Sequence, residues 1–567
     1  MRHQMIGSRK NILLFIVVFF VSGILSFHQI LCDDHWWHIA TGRLILKKWA
    51  IPEFDVFSFT YYGAPWHNNE WGFSILAALI WDEMGEWGFF LYRWVTLFGV
   101  VAFSLLAVNT RASRRGTAEI SPWFLLGILF FLFLVLQIRI NVRPHMLEYL
   151  FVAFTLWQLQ RPNDHLFRIS SLLWAIPFLA IWFFLHPSWI ILPILIAATH
   201  ADDLLERHHF SFGAWFRART RRFHLMMFLV ASFSLVITVW AFWEGPLSFY
   251  RIHFLELDTI FEWRSYRYWF SIHPFYAITL LYYFLVLRSI FNLFRTNPLM
   301  SFLIVATGLF SLTALRFISE FVLLSLPFVS TEISRLLSKS AGAVEQKKKM
   351  LIVSCAITMG VALLGDTILS NRSWGIGVDR VKNPVLVADF MQRYHLEGNL
   401  FASRTTPHSY ISFRLWPAVK IFIDGRNTQV YPIRFIREYS QIPFLSLVEQ
   451  HPIEYRLASS ELLDIRRPAE DIIDGRPGFF ELIYFNDSWS LSVLSTVLER
   501  QPNIKPFRML YPANLADEDL MRKIRDQGKL PLLLEELAYY GSIAVDPSEK
   551  QLYELMRAEI AKYAPVD

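Results

Sequence analysis

Long runs with almost no charge, separated by short loops, recur through the first 370 residues of this chain. A helix crosses about 30 Å of hydrocarbon with roughly 20 apolar residues. That rule predicts spans at 11–31, 86–108, 121–139, 146–160, 171–185, 188–200, 223–243, 273–291, 298–315, 317–334 and 350–369. The fold class expected is therefore an α-helical polytopic membrane protein of about 11 transmembrane helices. Only 18% of the 567 residues are charged, where soluble domains carry about 25%. The formal charge of +6 would suit nucleic acid, but the basic residues sit in short runs between apolar stretches, as membrane proteins use them. No nucleic-acid partner is expected; membrane lipids are.

Loop charge predicts the orientation, because short loops rich in Lys and Arg stay cytoplasmic. Arg2, Arg9 and Lys10 begin the series, followed by Arg111, Arg114 and Arg115, then Arg161 and Arg168. Arg207, Arg217, Arg219, Arg221 and Arg222 come next, then Arg288 and Arg295, then Arg335, Lys339 and Lys347–Lys349. Every alternate loop is basic. The N-terminus is expected in the cytoplasm and residues 370–567 outside. The first apolar stretch is too long for a signal peptide and lacks a small-x-small site, so it reads as an uncleaved anchor. Cys32 and Cys355 make no disulfide framework.

Residues 32–85 form a long outer loop rich in aromatic and acidic residues. From Asp34 to Lys48, apolar Trp36, Trp37, Ala40, Leu44 and Ile45 recur at helical spacing, which predicts an amphipathic helix in the interface plane. Ile51-Pro52 ends it, and a second helix is predicted from Trp66 to Met84. Asp33 and Asp34 lie at the outer end of a span, Glu70 opens the second helix, and His35, His38 and His67 lie nearby. Helix capping accounts equally for Asp34, and the helix dipole for Glu70.

These residues carry a resemblance. The run Asp34-His35-Trp36-Trp37-His38-Ile39-Ala40-Thr41-Gly42-Arg43, then Ile51-Pro52, Asp55-Val56-Phe57-Ser58-Phe59-Thr60 and Glu70-Trp71, resembles a bacterial group of polytopic proteins in the GT-C glycosyltransferase superfamily. Protein O-mannosyltransferases and lipid A aminoarabinose transferases are its better-known relatives. Arg143-Pro144-His145, the turn from Trp182 to His186, Glu262-Trp263 and Phe422-Ile423-Asp424-Gly425-Arg426 continue the match in order. Two departures stand out. The group usually has His-Glu-Trp where this chain has Asn69-Glu70-Trp71, and His-Gly-Gly where it has His186-Pro187-Ser188.

The resemblance implies a bacterial inner-membrane enzyme that takes a sugar from a polyprenyl-phosphate donor at the outer face. It makes Asp34 the base, with Asp33 as substitute and Glu70 to orient the acceptor or share a divalent metal. The acceptor would be an envelope glycan, lipid or protein. The chemistry is sound on its own terms. A carboxylate can take the proton of an attacking hydroxyl, and phosphate leaves without the second acid that glycosidases need. Phosphate also calls for cations. Arg139 and Arg143 stand at an outer loop where the charge rule wants none, and guanidinium grips phosphate oxygens bidentately. Arg316, His145 and His186 stand on outer turns, and Trp37, His38 and Glu262 complete the expected substrate-binding set. Snorkelling explains the arginines equally well. The metal stays open, with His38 and His67 as its candidate ligands. Glu148 is a candidate partner for Arg143.

From about residue 370 the composition becomes that of a soluble domain. The division expected is a membrane domain at 1–369, including amphipathic outer-loop helices at 34–85, and an extracytoplasmic α/β domain with a helical tail at 370–567. Within the latter, a helix is predicted at 384–395 and strands at 399–403, 410–414, 419–423, 480–485 and 489–494. Pro531 is expected to open a helix of the tail. This domain would bind the acceptor or a protein partner, or cap the membrane cavity. Two rival functions remain. A transporter would need repeats and mid-bilayer polar residues, which are not evident. A catalytically inactive GT-C-like scaffold or structural subunit is the alternative that the two departures keep open.

Overall fold

The computed structural model describes residues 9–31, 34–116, 120–161, 169–207, 277–314, 317–338, 343–369, 373–439, 441–459, 479–501, 503–507, 518–544 and 546–563. The expected span 223–243 lies outside them. The chain divides into two compact units, Met1–Gln29 with Asn69–Gly377, and Ile30–Asn68 with Val378–Asp567. Residues 30–68, expected with the membrane helices, thus group with the C-terminal residues.

The regular elements described in the first unit are helices, joined by short non-helical turns. Its longest element, Trp71–Arg114, joins two helices across a kink at Gly85, where φ is 55°. A left-handed backbone favours glycine at that point. The predicted helix 66–84 and span 86–108 are the two halves of this element, so the first half starts at Trp71 rather than Trp66. Among the described residues, Trp71–Arg114 and Ile278–Thr296 are long and apolar enough to cross a membrane, and Ile12–Ser26, Pro122–Leu136, Pro187–Thr199, Pro298–Thr313 and Ile352–Gly365 are shorter apolar helices.

What these helices leave exposed is informative. Leu280, Phe284, Leu287 and Phe291 form one bare stripe, and Ile357, Val361, Leu364 and Ile368 form another. Both recur at helical spacing. Exposed stripes of this kind would be costly in water and suit contact with lipid chains. Some of the buried polar groups inside this unit are paired across helices. Arg111 donates to the Gln160 side chain at 2.9 Å and to Asn297 at 2.7 Å. Asp202 accepts from the backbone N–H groups of Leu299 and Met300, at the start of helix Pro298–Thr313. That satisfies donors which a helix N-terminus otherwise leaves unmet.

The second unit holds a five-stranded sheet ordered β2-β1-β3-β5-β4. The strands are β1 Gly398–Ala402, β2 Val419–Ile421, β3 Tyr455–Ser459, β4 Phe480–Phe485 and β5 Trp489–Leu494. β1 lies parallel to both β2 and β3, whereas β5 is antiparallel to β3 and β4. β4 and β5 turn at Asn486, whose side-chain oxygen accepts from the N–H groups of Ser488 and Trp489, a local bond that favours turns. Helices Glu518–Asp526, Leu530–Ile543 and Pro547–Ala561 form the tail. They bury Leu520, Ile524, Leu533, Leu537 and Tyr553 with Leu482, Phe485 and Phe507.

Three expectations change here. Residues 410–414 belong to helix Thr405–Leu415, not to a strand. The run is one turn of a βαβ crossover from β1 to β2, and Tyr410, Ile411 and Leu415 fill its buried face. β3 escaped the sequence reading, because its Tyr-Arg-Leu-Ala-Ser run alternates only weakly. Helix Asp34–Lys48 forms where expected, but its tryptophans are not interfacial anchors. Trp36 is buried, donating to Asn383 at 2.7 Å and packing on Tyr410 and Phe413. Helical periodicity shows that a face is apolar; it does not show what covers it.

Candidate functional site

In the second unit residues 55–58 and 424–426 converge on one side chain. Arg426 is fully buried. Its Nε donates to both Asp424 oxygens at 2.9 Å and its Nη1 to Asp55 at 2.6 Å. Nη2 reaches the Tyr431 hydroxyl at 3.2 Å, and the guanidinium lies 4.7 Å from the Trp66 ring centre. Asp55 also accepts from the backbone N–H groups of Phe57 and Ser58 and from the Ser58 hydroxyl. Burial works against the charge of Arg426, but Asp424 and Asp55 outweigh it and hold the guanidinium protonated well above its usual range. Every ion here spends its hydrogen bonds inside the protein. The network clamps loop 53–66 to the end of β2.

Gly425 sits within that clamp, and its missing side chain makes room for Asp34. A Cβ there would meet Asp34 Oδ1 at 2.5 Å and Trp37 Nε1 at 3.2 Å. Trp37 Nε1 donates to the same Asp34 oxygen at 3.4 Å. The carboxylate is half-buried at the first turn of helix Asp34–Lys48. The His38 ring stacks on Trp37 at 3.6 Å between centres, and Trp66 lies 6.5 Å away on another side. An acid beside flat aromatic faces is chemically suited to a hydroxyl on a sugar ring.

The first unit carries a separate cluster. Glu70 is the N-cap of helix Trp71–Arg114 without a side-chain cap bond. His186 ends helix Ile169–Leu185. Its Nε2 lies 3.7 Å from Glu70, and its Nδ1 lies 3.2 Å from Glu148 and 2.7 Å from the Ser188 hydroxyl. Glu148 thus reaches His186. Pro187 opens the short 3-10 turn Pro187–Ile190, a position that suits its fixed φ and lost N–H. The Ser188 hydroxyl takes the Trp182 indole N–H at 3.0 Å. His145 bonds the Arg139 carbonyl at 3.0 Å, and the Arg143 carbonyl accepts from the Tyr92 hydroxyl at 2.9 Å. Arg139 itself is buried.

Of the residues singled out from sequence, Asp34, Trp37 and His38 therefore lie in the second unit, and Glu70, Arg139, Arg143, His145 and His186 in the first. Asp33, Arg316 and Glu262 lie outside the described residues. Among the described residues, no three His, Cys, Asp or Glu side chains are grouped as metal ligands. The Asp55–Arg426 network and the Glu148–His186 contact were not foreseen. The only signal for the first was an Asp and an Arg inside motifs hundreds of positions apart.

No protein-family model and no curated protein matches the sequence. Among solved structures, the chain is similar to ArnT from Cupriavidus metallidurans bound to undecaprenyl phosphate, at 12% identity and a TM-score of 0.45 over 85% of this chain and 97% of that one. It is also similar to the Archaeoglobus fulgidus oligosaccharyltransferase tethered with an acceptor peptide containing the NVT sequon, at 13% identity and a TM-score of 0.48 over 79% and 69% of the two chains.

Proposed function

We propose that the chain is an inverting membrane glycosyltransferase, which moves a sugar from a polyprenyl-phosphate donor to an extracytoplasmic acceptor with Asp34 as general base. The observation that supports this best is the setting of Asp34: half-buried, bonded by Trp37, and fitted against a glycine that leaves its carboxylate room. In the proposed reaction Asp34 takes the proton of the acceptor hydroxyl while that oxygen attacks the anomeric carbon. The bond from that carbon to the phosphate oxygen breaks, and polyprenyl phosphate leaves with the electron pair. Attack from the opposite face inverts the centre. Arg139 and Arg143 are the cations proposed for the phosphate. Glu70 and His186, the latter held by Glu148, are proposed to orient the acceptor. In this reading the protein lies in a bacterial cytoplasmic membrane of 11 spans, with its N-terminus inside and residues 370–567 outside. ArnT, one of the proteins it is similar to, was solved with undecaprenyl phosphate, a lipid of the kind proposed here.

A GT-C-like scaffold without catalysis is the second reading. It is favoured by His186-Pro187-Ser188, where proline fixes a turn that glycines would leave mobile. Membranes containing the chain, supplied with a polyprenyl-phosphate-linked sugar, decide between the two. The enzyme reading expects release of polyprenyl phosphate and a product of inverted anomeric configuration. A donor left intact with glycan, lipid and protein acceptors alike would leave only the scaffold.

A further inference from the structure

The sheet of the second unit has a feature that neither the motifs above nor the proposed transfer account for. β1 lies between β2 and β3, and all three run in parallel. The chain leaves β1 through helix Thr405–Leu415 towards β2, while β3 lies on the opposite side. In open α/β sheets, ligands bind outside the carboxyl ends of strands at such a reversal. A cavity of about 90 Å³ sits there, between the ends of β1 and β3.

Its polar lining is Lys382, Ser403, Arg404, Thr406, Ser459 and Ser488, with Trp489 on the apolar side. Neither Lys382 nor Arg404 makes an ion pair among the described residues. The Ser459 hydroxyl oxygen is buried and has no hydrogen-bond partner among the described residues. A buried hydroxyl left unbonded costs stability unless a ligand meets it. The Ser488 hydroxyl is already bonded to Asp487 at 3.0 Å. The rim is also held in place. His408 Nε2 accepts the Ala402 N–H at 2.8 Å and its Nδ1 donates to the Arg404 carbonyl at 2.8 Å. Burial lowers the His408 pKa to about 3, so this neutral tautomer persists and fixes the Ser403-Arg404 turn. Arg404 caps helix Thr405–Leu415 with no side-chain bond, which leaves the positive end of that helix facing the same turn.

We infer that this cavity binds the phosphoryl group of a small phosphate or phosphate ester. Two cations from separate segments and several hydroxyls offer donors around a tetrahedral anion. A water's share of liquid volume is about 30 Å³, so the space admits one such group and little more. The anion can come from a soluble phosphate or from a lipid headgroup.

The test uses the full chain in neutral detergent, titrated with inorganic phosphate by calorimetry. Saturable binding is expected, weakened roughly tenfold or more by Arg404→Gln and also reduced by Ser459→Ala. Ser459→Ala removes only a hydroxyl that has no partner among the described residues, and Arg404→Gln alters only a side chain without a cap bond. Lys550→Gln, at an exposed position off the cavity, should leave binding unchanged. Repeating the titration in nanodiscs separates the sources. If phosphatidylglycerol blocks inorganic phosphate where phosphatidylcholine does not, the site takes lipid headgroups; if neither blocks it, the site takes a soluble phosphate. Absence of saturable binding, or equal weakening by Lys550→Gln, overturns the inference. Neither outcome bears on Asp34.

Discussion

Asp34 depends on a neighbour that has no side chain. Its carboxylate occupies the space that a Cβ at Gly425 would fill, with the Trp37 indole on the same oxygen. Gly425→Ala should therefore move the Asp34 carboxylate, the far end of a short flexible side chain, before it moves backbone. Misplacing a reacting group by about 1 Å can cost roughly 10²-fold in rate. The expected outcome is a fall in the transfer rate of about that size, with the thermal midpoint changed by only a few degrees. Thermal scans and donor turnover on the same preparation check it. Equal loss of stability and turnover would mean that Gly425 serves the fold alone.

At the scale of elements, two fixed points hold the second unit together, and each makes a prediction. Arg426 pins loop 53–66 to the strand end through Asp424 and Asp55, all three wholly buried. Removing one partner of a buried ion pair costs about 3–5 kcal/mol, because the others stay charged in a dry site. Arg426→Met leaves two carboxylates facing each other. It should lower protein level in the membrane and expose residues 53–66 to protease, whether or not the chain is active. His408 is the second fixed point. Burial lowers its pKa from the ordinary 6.5 to about 3, so the unfolded chain takes up the proton first. Its contribution is complete above pH 6.5 and declines as the pH falls towards 3, by about 1.4 kcal/mol per pH unit. Unfolding midpoints measured from pH 7 to pH 4 should fall more steeply for the wild type than for His408→Gln. Parallel slopes would contradict the assignment. The helix Asp34–Lys48 and strands β4 and β5 were legible from period and turn residues. Helix Thr405–Leu415 was misread as a strand, because Tyr410-Ile411-Ser412-Phe413 is as β-prone as it is helical and only the crossover to β2 decides.

For the whole molecule, the sequence was informative about apolar runs and ordered motifs and silent about which segments associate. Hydropathy predicted membrane spans, and the exposed apolar stripes on helices Ala277–Thr296 and Ala343–Leu369 agree with that expectation. Nothing in residues 30–68 announced that they group with a sheet more than 300 positions away, since the bonds responsible join Trp36 to Asn383 and Asp55 to Arg426. Long-range pairing of that kind leaves no local period to detect. The same gap hid the Glu148–His186 contact. The claim on which the functional account stands is that Asp34 removes the acceptor proton, and Asp34→Asn keeps its shape while removing the base. Purified wild type and Asp34→Asn should be compared in nanodiscs loaded with a polyprenyl-phosphate-linked sugar, following donor binding and sugar transfer separately. The account predicts unchanged donor binding with transfer reduced about 10²–10⁴-fold; transfer at the wild-type rate would contradict it.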